Sequence, residues 1–255
     1  AYLFIEDATC FDQVENDEDF YQSALAFGNF QRLLADYPAE TLHETIPNFH
    51  NTVKRFSDFK KAVEKDACGR AADVQKEIQF VLEREQLTHT LVDLQEAGKL
   101  PLRVTHNDTK LNNIMIDNAT HKGICVIDLD TVMPGLSLND FGDSIRFGAS
   151  TAAEDEQDIS KVFCDLHLFE VYVKGFLKGC GGALTDLEVE MLPMGAILMT
   201  FECGMRFLAD HLEGDHYFRI HRENQNLDRA RTQFKLVWDM EQKLSEMKAI
   251  VEKYK

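Results

Sequence analysis

The sequence has 255 residues, 44% of them hydrophobic, with 27 Lys and Arg against 44 Asp and Glu, a formal net charge of −17. That acidity excludes a general nucleic-acid coat protein and a binder of anionic membranes, since both need clustered basic side chains. It leaves room for a small, locally basic phosphate site, and the length allows one large domain or two small ones.

In chain order, Tyr2 to Ile5 reads as a short strand, and it follows Ala1, not Met, at once. That start raises the expectation that something upstream has been removed. Asp19 to Asp36 reads as a helix with Phe20, Leu25, Phe27, Phe30 and Leu33 or Leu34 among its apolar positions and Pro38 past its end. Pro47 to Asp66 is mixed and helical in its second half. Arg70 to Ala97 has apolar residues at helical spacing throughout and predicts one long helix, with Gly98 as its stop. Leu102 to Thr105 is a candidate strand. Asn113 to Ile116 and Gly123 to Ile127 flank the turn composition Asp117-Asn118-Ala119-Thr120 and predict a hairpin. Ile159 to Leu177 is apolar at helical spacing. Thr185 to Glu188 is a capping box opening a helix to about His211, and Asn226 to Lys255 predicts a final long helix. Glu154 to Glu156 reads as a solvated acidic loop. The expectation is an α+β, mainly helical chain with a small β-hairpin in the middle.

Six cysteines at 10, 68, 125, 164, 180 and 203 form no CxxC pair, which excludes a zinc ribbon or thioredoxin motif. Scattered thiols, no apolar run of transmembrane length and no signal peptide predict a cytoplasmic protein with reduced cysteines.

The chemistry concentrates between Arg103 and Arg146. His106-Asn107-Asp108-Thr109-Lys110-Leu111-Asn112-Asn113 is followed, across the hairpin, by Val126-Ile127-Asp128-Leu129-Asp130. This is an acid, an amide five residues on, and a second acid that the hairpin returns to the same place. Phosphoryl transfer needs such a set: one carboxylate to orient a hydroxyl and accept its proton, and oxygen ligands for Mg²⁺. Asp108 is the candidate catalytic base, and Asn113 and Asp128 are the candidate metal ligands. Asp140-Phe141-Gly142 offers a competing metal acid, but it lies 27 residues after Asn113 against 15 for Asp128. Asp140 is read instead as a structural acid that caps the next helix and braces the loop. Asp130 is either a third acid near the metal or a turn residue.

The string His-x-Asp-x4-Asn followed by a strand-end Asp resembles the catalytic core of kinases with the protein-kinase-like fold. The Ile127-Asp128 ending looks like aminoglycoside phosphotransferases and choline kinases. Ile127 to Gly135, Asp140 to Arg146 and Glu202 to Phe207, with Tyr217-Phe218 and Arg229 to Phe234, resemble most the N-acetylhexosamine 1-kinases within that group. The resemblance covers nearly the whole chain. It implies that residues 1–8 are the last small-lobe strand and hinge, with Phe4 and Glu6 at the adenine, and that 9–255 are a helical C-terminal lobe. It also implies that the N-terminal nucleotide lobe, with its glycine-rich loop and strand lysine, is absent from this chain. Lys110 falls on the lysine of the kinase loop and is expected to contact the transferring phosphate; a solvated surface lysine is the other reading. His106 is expected to brace the loop through its ring. Arg206 and Tyr217 become candidate sugar-pocket residues, the alternative being a surface ion pair and a half-buried ring.

The expected partners are therefore ATP with Mg²⁺ and a small sugar, and neither nucleic acid nor membrane. Two rivals stand beside this: a kinase of choline, homoserine or an aminoglycoside, and a non-catalytic sugar-binding fragment.

Overall fold

The computed structural model describes residues 3–255. Tyr2 lies outside the described residues, and Leu3 to Ile5 carry no strand. The first strand is β1, Ala8–Thr9, set where the chain pairs antiparallel with the central hairpin, Ala8 opposite Asp117. Helix α1, Asp17–Leu33, opens on Asn16, whose side chain accepts the Asp19 N–H; three acids in its first turn suit the helix dipole. Phe20 and Phe27 face inward, while Leu33 is two-thirds exposed and Leu34, at the helix end, is half-buried.

Helix α2, Thr52–Lys65, is capped by the Asn51 side chain on Lys54 N. The predicted helix from Arg70 to Ala97 is instead a 3₁₀ turn, Ala71–Val74, then α3, Gln75–Leu82, then α4, Glu85–Glu96. Apolar periodicity continues across the break, so the cause is tertiary. The Arg84 guanidinium lies 3.6 Å from the Phe80 ring centre and grips both oxygens of Glu241 at 2.9 Å. That clamp fixes the turn between the two helices. Gly98 then takes φ +68°, the left-handed stop expected of it.

The middle of the chain is β-structure in two small sheets. Strands β2, Arg103–Thr105, and β5, Met133–Gly135, pair antiparallel, with Thr105 opposite Met133. Strands β3, Ile114–Asp117, and β4, Gly123–Val126, form the expected hairpin, with Ile114 opposite Val126. The Asp117 carboxylate closes its turn by accepting from Ala119 N and Thr120 N.

Five further helices complete the described chain: α5, Ser137–Gly148; α6, Leu166–Cys180; α7, Asp186–Glu213; α8, Gln225–Gln242; and α9, Leu244–Tyr254. The predicted final helix therefore breaks at Lys243, whose ammonium bonds Asp239 and the Cys164 carbonyl. Leu227, Phe234, Val237, Met240, Met247 and Val251 on either side of the break enter the core. The capping box at Thr185 is formed as expected. By length and composition α7 would suffice to cross a bilayer, contrary to the expectation from apolar runs. Its most apolar window is 78% buried inside the molecule, as a central core helix requires.

Helices α1 and α6 cross closely through Gly28 and Gly179: a Cβ on Gly28 would sit 2.2 Å from the Phe176 carbonyl. At Gly142 it would sit 2.3 Å from the Gly195 carbonyl, so this glycine serves the crossing of α5 over α7. Phe141 beside it packs edge-on against Phe169, Tyr172 and Phe176. The Asp-Phe-Gly string is thus one turn of a buried helix.

Candidate active site

The segment from Thr105 to Asn113 is a loop held on its flanks so that one side chain is presented. His106 is fully buried with the rings of Phe27 and Phe30 edge-on to it at 5.4 and 5.9 Å. Its Nε2–H donates to the Ile127 carbonyl at 2.8 Å, and its Nδ1 accepts the Asp108 N–H at 3.3 Å. These partners fix the tautomer with the hydrogen on Nε2. The histidine ties the loop to the end of the hairpin, as anticipated. Asn107 turns the chain at φ +64°, and its amide donates to the carbonyls of Thr131 and Thr105.

Asp140 supplies the other anchor. It does not cap α5; it sits within the first turn, 1% exposed. Its carboxylate accepts the N–H of His106 at 2.9 Å, of Asn107 at 2.8 Å, and the Gln31 amide at 2.7 Å. Burial pushes this carboxyl up, against three donors that favour its charge. Asp143, one turn on, accepts the Thr109 N–H at 3.2 Å and two hydrogen bonds from Arg146. Burial opposes its charge, but Arg146 and Lys110 outweigh that and hold its carboxyl below the usual range. The Arg146 guanidinium continues to Glu154 at 2.7 Å, and Glu154 lies 3.6 Å from Arg229. Glu154 and Asp155 are therefore ion-paired, to Arg146 and Arg222 respectively, and not a solvated loop.

Against these buried anchors the Asp108 side chain stays 29% exposed. Lys110 Nζ lies 2.7 Å from its Oδ1, and Asn113 Nδ2 lies 3.1 Å from its Oδ2. Burial works against the Lys110 charge, and Asp108 outweighs it, so the ammonium is held above its usual range. The Ile127 N–H bonds the Asn113 carbonyl at 2.9 Å, which sets Asp128 beside Asn113 in the backbone. Asp128 lies two residues past the end of β4, not on it. It is exposed and takes φ +58°.

Asn113 spends its amide hydrogens on Asp108. Its oxygen, with the exposed Asp128 carboxylate, is a hard-oxygen pair suited to Mg²⁺, which takes few protein ligands plus phosphate oxygens. Among the described residues no three His, Cys, Asp or Glu gather as a metal cluster, which such a shared site does not require.

A cavity of about 510 Å³ opens over Asp108. Its wall includes Lys110, Asp143 and Arg146 from the loop side and Glu202, Arg206 and Tyr217 from the far side. The structure thus brings Arg206 and Tyr217 to Asp108. It does not place Asn113, Asp128, Phe4 or Glu6 in that wall, and Phe4 is 88% exposed. Arg206 Nη2 lies 3.3 Å from the Tyr217 hydroxyl. Its guanidinium carbon lies 5.3, 5.6 and 5.4 Å from the ring centres of Phe49, Tyr217 and Phe218. His50, Asp143, Arg146, Glu202 and Arg229 are site residues that sequence reasoning gave no role. All but His50 lie within the strings that carry the resemblance, and the three-residue spacing of Asp140, Asp143 and Arg146 marks one face of a helix.

A family model described as the phosphotransferase enzyme family matches residues 7–163, more than half of the chain. Among solved structures, the chain is similar to choline kinase from Cryptosporidium parvum, at 13% identity and a TM-score of 0.60, over 95% of this chain and 70% of that one. It is similar to a choline/ethanolamine kinase family protein from Mesorhizobium loti, at 17% and 0.55, over 98% and 73%. A third is the ethanolamine kinase of Plasmodium vivax, at 16% and 0.52, where 89% of this chain spans 64% of that one. At these identities the likeness is one of fold.

Proposed function

The chain belongs to the phosphotransferase enzyme family, and we propose that it forms the C-terminal lobe of an ATP-dependent kinase of an uncharged hydroxyl acceptor. The acceptor we favour is an N-acetylhexosamine, phosphorylated on its anomeric hydroxyl. One observation carries the choice of acceptor. The aromatic faces of Phe49, Tyr217 and Phe218 could cage an ammonium, but the Arg206 guanidinium already occupies them. The cavity wall has five basic side chains (Lys110, Arg146, Arg206, Arg219 and Arg229) against four acids, in a chain of net charge −17. A cationic acceptor such as choline or an aminoglycoside would meet repulsion there. Hydroxyls and an acetamide carbonyl suit a guanidinium fork and a phenol.

In this reading Asp108 orients the acceptor hydroxyl and takes its proton as the oxygen bonds to the γ-phosphorus and the bond to the β-phosphate oxygen breaks. Lys110 holds Asp108 in place and lends its charge to the transferring group. Asn113 and Asp128 are the residues that would hold Mg²⁺, and the chemistry such an ion supplies is neutralisation of the nucleotide phosphates. The adenine contacts of Phe4 and Glu6 rest on the sequence resemblance alone. The test is an acceptor panel with the full-length protein: N-acetylglucosamine, N-acetylgalactosamine, choline, ethanolamine, homoserine and kanamycin. The expected result is a kcat/KM for one N-acetylhexosamine roughly a hundredfold or more above every amine. Choline or kanamycin as the best acceptor would overturn it.

A further inference from the structure

Deep in the cavity wall a second pair of groups is left half satisfied. His50 ends the segment leading into α2, and Glu202 lies on α7 one turn before Arg206. Their side chains are 8% and 1% exposed. Nδ1 of His50 lies 3.0 Å from Oε1 of Glu202, a hydrogen bond in which the ring must donate. Arg206 Nη1 stands 4.0 Å from the same oxygen. Oε2 of Glu202 and Nε2 of His50 are both buried and have no partner among the described residues. Two other buried acids are fully matched: Asp140 meets three donors, and Glu188 meets Arg103, Ser137 and the Thr185 N–H; Asp19, outside this cavity, also keeps one oxygen without a partner among the described residues.

With the Nδ1 hydrogen committed to Glu202, the tautomer that carries its hydrogen there offers a lone pair at Nε2, and Oε2 offers another. Two acceptors in one wall call for a ligand with two donors, and Arg206 already balances the carboxylate charge. We infer that His50 and Glu202 form a recognition dyad that accepts hydrogens from the acceptor ring, from two neighbouring hydroxyls or from one hydroxyl and an amide N–H, away from the transferred position. The dyad sets specificity and affinity, not the chemical step. A quaternary ammonium has no N–H to offer it. This inference rests on the hydroxyl-acceptor reading above.

The test couples substrate and protein changes in the full-length enzyme. N-acetylhexosamines lacking one hydroxyl at a time are assayed with wild type, Glu202→Gln and His50→Gln, with a thermal melt of each protein. In wild type, loss of the engaged hydroxyl raises KM roughly ten- to a hundredfold. In Glu202→Gln the parent sugar shows that same rise and the deoxy analogue shows no further one, with kcat kept within about threefold. Should Glu202→Gln fail to fold, His50→Gln carries the same comparison. Penalties that simply add in both variants, as they would if only ordered water fills the gap, overturn the dyad while leaving the acceptor reading intact. If no N-acetylhexosamine is turned over, the acceptor reading falls. The comparison then runs on whichever alcohol the panel selects, and absence of coupling there overturns the dyad as well.

Discussion

The carboxylate of Asp140 accepts the backbone N–H of His106 at 2.9 Å, and through that bond a helix holds the start of the loop that presents Asp108. The acid of the Asp-Phe-Gly string is thus turned onto protein donors. The acid two residues past β4, Asp128, is left exposed.

Removing the two acids should therefore have opposite consequences. Asp140→Ala leaves three buried N–H donors unmatched and should cost about 3 kcal/mol or more of stability. For a chain of this size that is a fall of roughly 6–12 °C in Tm. Asp128→Ala should change stability by less than about 1 kcal/mol, yet raise the Mg²⁺ requirement of the full-length enzyme at least about tenfold. Differential scanning calorimetry and Mg²⁺ titrations of activity separate the two, and the reverse pattern would assign the metal to Asp140.

Arg206→Ala should empty the aromatic cage. The full-length variant should lose affinity for N-acetylhexosamine and gain weak binding of choline, with a Kd of roughly 1–10 mM from rings newly free to face a cation. Calorimetric titration of choline into variant and wild type checks it; equal choline binding by both would show that the arginine does not fill the cage.

Glu188 provides a pH test of the fold beneath the site. Burial opposes its charge, but the Arg103 fork, the Thr185 N–H and the Ser137 hydroxyl outweigh that and hold its carboxyl below the usual range. A carboxyl lower in the folded than in the unfolded chain stabilises above the unfolded value, about 4.3, and that stability is lost as pH falls through the folded one. Wild type should exceed Glu188→Gln by about 3 kcal/mol from neutral pH down to about 5. The gap should narrow below about 4.3. Urea melts across that range would contradict this if the gap widened toward acid.

Much of this site was legible in the sequence because its signals are local. Asp108 and Asn113 sit in one short loop, the hairpin announces itself by alternation around a turn, and Thr185 caps its helix with a side chain three residues away. The missed features are long-range. Nothing near Arg84 says that Glu241 will break the helix there, and nothing near His50 says that Glu202, 152 residues on, will receive its ring hydrogen. Leu3 to Ile5 are apolar throughout but pair with no strand among the described residues, whereas Ala8 and Thr9, a run too short to read as a strand, pair with β3. Pairing partners, not propensity, decided that strand.

The central claim is that Asp108 is the base facing an acceptor held by the opposite wall. Steady-state kinetics of Asp108→Asn in the full-length enzyme, with its best acceptor, test it most directly. The expected result is a kcat lower by roughly 10²–10⁴-fold with an acceptor KM within about threefold of wild type. Turnover near the wild-type rate would contradict it.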